Sequence, residues 1–205
     1  MRAHIPNILT SLRILFAITG ALALYTAFGL ENGQTVFGLT LEPGSRLAAD
    51  FSRYAFVAFF ISAATDWLDG YLARRWQVES GFGAVLDPIA DKLLVDLYLL
   101  VYTLMLAAPP EVYVPVIAII LRDAAVTVRR LASKTPSQAA PVSLTAKLKT
   151  ALAMSVAGLP LIALPLGWLA HEAVLLIWIG GLWLAAALAL QTGLSYFRPN
   201  GSAND

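Results

Sequence analysis

Six long apolar segments, separated by short stretches of turn residues, are the feature that most constrains the fold of this 205-residue chain. A helix rises about 1.5 Å per residue, so about 20 apolar residues cross the roughly 30 Å hydrocarbon core of a bilayer. A spanning backbone must satisfy its own hydrogen bonds, and a helix does so internally. We therefore predict an all-α integral membrane protein, a six-transmembrane-helix bundle. Its predicted spans are 8–30, 51–76, 85–107, 112–133, 145–166 and 173–197.

The composition supports a membrane protein and excludes several kinds of site. Hydrophobic residues make up 59% of the chain and charged residues 13%, at a mean hydropathy of +0.72. Because cysteine is absent, disulfides, thiolate metal sites and cysteine nucleophiles are excluded. No repeat or second domain is visible, so we predict one membrane domain over residues 1–205. The residues around Pro6 predict a short N-terminal interfacial segment, and the apolar run after it is too long for a signal peptide.

The distribution of basic residues predicts the orientation. With a cytoplasmic N-terminus, the cytoplasmic side receives Arg2, Arg74, Arg75, Arg129, Arg130, Lys134, Lys147, Lys149 and Arg198. The opposite side receives only Arg46 and Arg53. Since basic residues concentrate in cytoplasmic loops, we expect both termini to face the cytoplasm. The protein is predicted to be a multi-pass protein of the cytoplasmic (inner) membrane, with its active site on the cytoplasmic side.

Four aspartates lie at the predicted cytoplasmic ends of the second and third apolar segments. Asp66 and Asp69 are three residues apart, and Asp87 and Asp91 are four apart. Each pair shares one helix face, and a helical hairpin turns the two faces toward each other. A charged residue within a membrane costs about 2.5–3.5 kcal/mol, so such a cluster needs a compensating cation or a water-filled cavity. The sequence therefore predicts a functional site here.

The residue types of this cluster predict a divalent-metal site that binds phosphate groups. Hard carboxylate oxygens without His or Cys suit Mg²⁺ or Mn²⁺, and four acids provide ligands for two ions. Paired metals assist in-line displacement at phosphorus. Gly70, Ala73 and Gly83 leave room for a ligand near the backbone, and Arg74 offers a fork for phosphate oxygens. A diphosphate is the ligand that this arrangement suits.

Two other interpretations of the acidic cluster are open. Acids and arginines within a membrane form structural ion pairs, or relay protons in a transporter. Gly70 and Gly83 alone are typical of close helix packing. A proton relay does not require the glycines, the alanine and the arginine, so together they favour an enzyme. A transporter predicts flux in sealed vesicles, whereas the enzyme predicts an obligatory divalent metal.

The whole pattern resembles the signature of the CDP-alcohol phosphotransferase family. Its eight fixed residues are all present, as Asp66, Asp69, Gly70, Ala73, Arg74, Gly83, Asp87 and Asp91. Eight residues at fixed spacing are far more specific than a short glycine motif. The resemblance implies six transmembrane helices, a homodimer, and transfer of a phosphatidyl-type group from a CDP-linked donor to an alcohol, with release of CMP.

The resemblance also implies a role for each signature residue. Asp66, Asp69 and Asp87 would hold the metal ions, and Asp91 would complete the second metal site and act as the catalytic base. The CDP group would bind against Asp69, Gly70, Ala73, Arg74 and Gly83. These roles agree with the chemistry, because the acceptor hydroxyl must lose a proton as it attacks phosphorus.

Two further segments indicate the acceptor. HIPNILTSLR resembles the IPNxLTxxR start of bacterial phosphatidylglycerophosphate synthases, and VSLTAKLKT resembles their V-S-x-x-G-K-x-K-T segment. This implies CDP-diacylglycerol as donor and glycerol 3-phosphate as acceptor. The predicted acceptor phosphate site consists of the cations Arg122, Arg130, Lys147 and Lys149. Asn7, Thr10 and Arg13, at helical spacing, are predicted to border the headgroup site.

Two departures from this pattern keep an alternative acceptor open. Asp123 stands where these synthases more usually have Glu, and Ala146 replaces a Gly. An Arg-Asp pair at this position resembles the sequence of the related cardiolipin synthases, which use phosphatidylglycerol as the acceptor. Cardiolipin synthase is therefore the alternative, and after it another CDP-alcohol phosphotransferase. The expected partners are the two substrates, membrane lipids and a second copy of the chain, with no nucleic acid.

Overall fold

A computed structural model describes residues 4–40, 42–76, 81–105, 109–132 and 144–197. Six α-helices dominate it: α1 (His4–Glu31), α2 (Arg46–Trp76), α3 (Gly81–Met105), α4 (Pro110–Ala132), α5 (Leu144–Ala163) and α6 (Glu172–Phe197). A one-turn 3₁₀ helix, Trp168–Ala170, precedes α6. Over these ranges the only β-type pairing is an isolated bridge, so the predicted all-α class is confirmed. The predicted span ends at 107 and 133 lie outside the described residues.

Two helices begin earlier than the apolar pattern predicts. Helix α1 begins at His4, so residues 4–7 continue the helix that was predicted to span 8–30. Helix α2 begins at Arg46, ahead of the predicted 51. There the Ser45 hydroxyl accepts a hydrogen bond from the Ala48 backbone N–H at 3.3 Å, which is an N-cap. A polar cap therefore starts the helix before its apolar part begins.

The connection from α1 to α2 contains a tight reverse turn. Val36 and Leu39 exchange two backbone hydrogen bonds of 2.9 Å. The two residues between them have positive φ, 49° at Phe37 and 80° at Gly38. Positive φ at both central residues is the geometry of a two-residue hairpin turn, and glycine adopts it without steric cost.

The chain divides into two compact units, Met1–Ala108 and Pro109–Asp205. The single domain predicted over residues 1–205 stays a prediction. In the first unit, α1 packs against both α2 and α3. The Ser62 hydroxyl bonds to the Arg13 carbonyl, and the hydroxyls of Thr19 and Tyr54 are 2.8 Å apart. Because the residue numbers of the bonded partners in α2 fall as those in α1 rise, the two helices are antiparallel.

Small residues allow this close packing. A Cβ atom at Gly20 would overlap the hydroxyl of Tyr98 and approach Ala58 to 2.8 Å. The buried Tyr98 hydroxyl donates to the Ala55 carbonyl at 2.8 Å, which joins α3 to α2. Small residues at such interfaces are typical of membrane helices, where association depends on close van der Waals contact.

In the second unit, α6 packs against α4 and α5. The indole N–H of Trp183 donates to the Glu111 carbonyl at 2.9 Å, and Arg122 donates to Thr192 at 2.9 Å. Because the residue numbers of the partners in α6 rise as those in α4 rise, the two helices are parallel. The buried Trp178 donates to the Val156 carbonyl at 2.9 Å and attaches α5.

The described helices are those of a membrane protein. Three stretches are long and apolar enough to cross a bilayer within the part of the chain that the structure covers: Ile8–Glu31, Arg46–Asp66 and Glu172–Gly193. A shorter apolar stretch, Leu148–Ala163, lies in α5. Large apolar side chains such as Leu15, Leu104 and Ile177 are exposed on the helices, as a lipid-facing surface requires. The count of six spans stays a prediction.

Candidate active site

The four signature aspartates lie on two consecutive helices. Asp66 and Asp69 belong to α2, and Asp87 and Asp91 belong to α3, so the helical spacing assumed for both pairs is present in the backbone. Of the four side chains, that of Asp66 is described, and the other three lie outside the described residues. The surroundings of the predicted CDP-binding residues Gly70, Ala73, Arg74 and Gly83 also lie outside what the structure describes. Their predicted roles stay predictions.

Asp66 forms an ion pair with Arg13 of α1. Arg13 Nη1 is 2.6 Å from Asp66 Oδ1, and the two side chains are 3% and 30% exposed. A buried guanidinium is costly unless it is paired, so the carboxylate compensates the arginine. The short distance is that of a close ion pair. The arginine is enclosed by the helices, whereas the aspartate keeps an open side.

The predicted headgroup-border residues lie in the first turns of α1. Thr10 and Arg13 are buried in the first unit, and the side chain of Asn7 lies outside the described residues. Arg13 therefore contacts the first signature aspartate. That all three border a headgroup site stays a prediction.

The second unit contains a buried charged cluster, which we call the Asp123 cluster: Arg122, Asp123, Lys149 and Thr192. Arg122 Nη1 is 2.5 Å from Asp123 Oδ1, and Lys149 Nζ is 3.4 Å from the same oxygen. Arg122 Nη2 also donates to the Thr192 hydroxyl at 2.9 Å. The cluster therefore joins α4, α5 and α6 around one carboxylate.

The position of Arg122 depends on a glycine of α6. A Cβ atom at Gly193 would lie 3.0 Å from Cγ and 3.1 Å from Nε of Arg122. Such a distance is tighter than an ordinary van der Waals contact, so a larger residue would displace the arginine side chain. Gly193 thus leaves the space in which the arginine passes α6.

The two basic side chains of the cluster lie at different distances from the carboxylate. Arg122 and Lys149 both contact Asp123 Oδ1, and the Lys149 contact is the longer one. Hydrogen bonds weaken at such distances. Asp123 therefore holds Arg122 more firmly than it holds Lys149.

Of the four predicted acceptor residues, the structure brings Arg122 and Lys149 together. Arg130 lies in the last turn of α4 and Lys147 in the first turn of α5, and both side chains lie outside the described residues. Sequence analysis did not assign roles to Thr192 or Gly193, because neither stands out in an apolar helix. It treated Asp123 only as a departure from a pattern. A carboxylate beside an arginine in an apolar run is the signal that could have identified it.

Comparison with known proteins supplies independent evidence. The family model for CDP-alcohol phosphatidyltransferase matches residues 3–191, which cover most of both compact units. The chain is 39% identical to the CDP-diacylglycerol–glycerol-3-phosphate 3-phosphatidyltransferase of Cereibacter sphaeroides over 123 residues, 60% of this chain and 47% of that relative. It is 31% identical to the enzyme of the same name from Bacillus subtilis over 201 residues, 98% of this chain and 96% of that relative.

A cardiolipin synthase (CMP-forming) of Oryza sativa subsp. japonica is also similar. It is 35% identical over 151 residues, which cover 68% of this chain and 46% of that relative. The family match extends over nearly the whole chain and contains every residue of the aspartate signature. The chain belongs to the CDP-alcohol phosphatidyltransferase family, a family of membrane-bound enzymes.

Proposed function

We propose that the protein transfers the phosphatidyl group of CDP-diacylglycerol to glycerol 3-phosphate, forming phosphatidylglycerophosphate and CMP. The observation that carries the choice of acceptor is the similarity to the Bacillus subtilis enzyme over 98% of this chain and 96% of that relative. Family membership supports an enzyme rather than a transporter.

The Asp123 cluster supports a phosphorylated acceptor. Two basic side chains, Arg122 and Lys149, lie within 3.4 Å of one buried carboxylate, so basic groups are concentrated in this cluster. Glycerol 3-phosphate brings a dianionic phosphate, and charge-assisted hydrogen bonds from Lys and Arg suit it. In this proposal Lys149 contacts the phosphate, Arg122 holds Asp123 in place, and Arg130 and Lys147 add positive charge nearby.

The aspartate signature supports divalent metal binding. Asp66 presents a carboxylate that is 30% exposed, and hard oxygen ligands fit Mg²⁺ or Mn²⁺. We assign two ions to Asp66, Asp69, Asp87 and Asp91. When bound, the ions would neutralise charge that develops on the departing CMP phosphate.

Each step of the proposed reaction is assigned to particular residues of the chain. Asp69, Gly70, Ala73, Arg74 and Gly83 bind the CDP group and orient its diphosphate. The acceptor hydroxyl oxygen attacks the β-phosphorus, and the bond between that phosphorus and the CMP oxygen breaks. Asp91 accepts the hydroxyl proton, as a general base must do when the nucleophile is a neutral alcohol. Asn7, Thr10 and Arg13 border the headgroup site.

The cellular setting follows from the same proposal. CDP-diacylglycerol is a membrane lipid and glycerol 3-phosphate is water-soluble, so the site must be open to both. The excess of basic residues on one side supports our proposal that the termini and the site lie at the cytoplasmic face of the cytoplasmic membrane. We further propose that the working form is a homodimer.

Cardiolipin synthesis is the second candidate. The similarity to the Oryza sativa synthase and the Arg122-Asp123 pair favour it. In that case phosphatidylglycerol would be the acceptor. Its phosphate is a diester with one charge, so it needs less cationic compensation than a phosphate monoester.

One assay separates the two. Purified protein in detergent is incubated with CDP-diacylglycerol, Mg²⁺ and either glycerol 3-phosphate or phosphatidylglycerol, and the lipid product is identified by mass spectrometry. We expect phosphatidylglycerophosphate and an equal amount of CMP with glycerol 3-phosphate, and no turnover after chelation of the metal. Cardiolipin formation with phosphatidylglycerol alone would establish the second candidate instead.

A further inference from the structure

The ion pair between Arg13 and Asp66 is unequal in its burial. The arginine side chain is 3% exposed and the aspartate 30%. Enclosing both partners would strengthen their attraction but would also remove the carboxylate from water, which is costly. Here the arginine is enclosed and the aspartate stays partly accessible. A carboxylate that is held by one partner and partly exposed can bind a further ligand.

The ion pair involves one oxygen of the carboxylate: Arg13 Nη1 lies 2.6 Å from Asp66 Oδ1. A carboxylate can bind Mg²⁺ or Mn²⁺ through a single oxygen while the other oxygen accepts a hydrogen bond. The fixed Oδ1 therefore sets the direction of Oδ2.

A second hydrogen bond fixes the backbone on which this geometry depends. The Ser62 hydroxyl donates to the Arg13 carbonyl at 3.1 Å, and Ser62 is fully buried. Ser62 lies one helical turn before Asp66 in α2, on the same face. The turn of α1 that carries Arg13 is thus attached to the turn of α2 that leads to Asp66.

We propose that Arg13 is a positioning residue for the metal site of the aspartate signature, which it serves through Asp66. This inference rests on the proposed function, because it requires the signature to bind a divalent ion. Arg13 lies in a different helix from every signature residue. A residue that hydrogen-bonds to a metal ligand commonly changes metal affinity by 10- to 100-fold when it is removed.

Loss of the positive charge and loss of the orientation predict opposite results. Without Arg13, the remaining acids would attract a cation more strongly by charge alone. Without the ion-pair contact, Asp66 would lose the orientation that directs it to the ion. We expect orientation to dominate, since the contact is short and the arginine is buried.

The experiment measures Mn²⁺ binding without turnover, by electron paramagnetic resonance of free Mn²⁺ during titration of the purified protein in detergent. Arg13→Met is expected to bind Mn²⁺ at least tenfold more weakly than the wild type. Arg13→Lys keeps the charge but lacks the planar guanidinium, so we expect an intermediate affinity. Arg53→Met is the matched control, because Arg53 pairs with Asp50 on the same α2 helix, at 2.8 Å, with both side chains exposed.

The metal-free melting temperature of each variant is measured alongside. If Arg13→Met does not give a folded protein, Arg13→Lys decides the question. Weaker Mn²⁺ binding by the folded Arg13 variants, titrated well below their melting temperatures, supports positioning, since a merely structural contact would lower the melting temperature and leave the affinity of the folded protein unchanged. Equal or tighter Mn²⁺ binding by the folded Arg13 variants would overturn the inference alone. A wild type that neither binds Mn²⁺ nor releases CMP would overturn the proposed function and this inference with it.

Discussion

Each of the two compact units contains an ion pair with a buried arginine, and the pairs differ in how many basic groups share the carboxylate. In the first unit, Arg13 pairs with Asp66, one of four aspartates of the signature. In the second, Asp123 is the carboxylate that Arg122 and Lys149 share. Under the proposed function, the aspartates of the first unit bind divalent cations, and the basic residues of the second unit bind the acceptor phosphate.

The largest expected effect concerns the acidic unit. Asp91→Asn removes the proposed base while keeping the size of the side chain, so turnover should fall by about 10²- to 10⁴-fold. Release of CMP is measured with CDP-diacylglycerol and glycerol 3-phosphate at saturation. Asp50→Asn, at an exposed position of α2, serves as the control and should keep wild-type turnover. Near-normal turnover of Asp91→Asn would refute the base.

The next effect concerns the stability of the basic unit. Asp123 is 7% exposed, and Asp123→Asn leaves two buried cations without their carboxylate. Breaking a buried pair in this way costs about 3–5 kcal/mol. For a chain of this size, 3 kcal/mol corresponds to a decrease of roughly 6–12 °C in melting temperature. Tryptophan fluorescence during heating in detergent measures it.

The control for this prediction is an exposed pair of the same type. Asp50 and Arg53 are 62% and 76% exposed, so Asp50→Asn should cost less than about 1 kcal/mol. A shift of about 2 °C corresponds to no more than about 1 kcal/mol in a chain of this size. If both variants melt within that range of the wild type, Asp123 does not stabilise the second unit.

A smaller effect concerns acceptor binding. Lys149→Met removes the cation that the proposed function places against the acceptor phosphate, and a lost charge-assisted hydrogen bond costs about 1.5–3 kcal/mol. The KM for glycerol 3-phosphate should therefore rise by about 10- to 100-fold, while the KM for CDP-diacylglycerol stays the same. Arg129→Met, at an exposed position near the end of α4, should leave both constants unchanged. An unchanged KM for glycerol 3-phosphate in Lys149→Met would remove this residue from the acceptor site.

The smallest effect tests the space around Arg122. Alanine is favoured over glycine inside a helix by about 1 kcal/mol. Gly180→Ala, with nothing within 4 Å of the added Cβ in the described structure, should therefore stabilise the protein. Gly193→Ala places its Cβ 3.0 Å from the Arg122 side chain and should lose that gain. Melting temperatures of the two variants give the comparison, and equal stabilisation would show that Arg122 adapts without cost.

The sequence predicts the features that depend on local pattern. Apolar segment length predicts the helices, and the fixed spacing of the aspartates predicts their places on α2 and α3. Helix starts were less predictable, because the Ser45 cap of α2 precedes the apolar run. Residues brought together by packing were harder still. Arg13 and Asp66 are 53 positions apart, and Arg122 and Thr192 are 70 apart, so no spacing rule connects them.

The most direct test compares two constants in two variants. The half-saturating Mg²⁺ concentration and the KM for glycerol 3-phosphate are measured for Arg13→Lys and Lys149→Met in the same assay. We predict that Arg13→Lys raises the Mg²⁺ requirement and leaves the acceptor KM unchanged. We predict the reverse for Lys149→Met. Equal changes of both constants in both variants would contradict the assignment of cation binding to one unit and acceptor binding to the other.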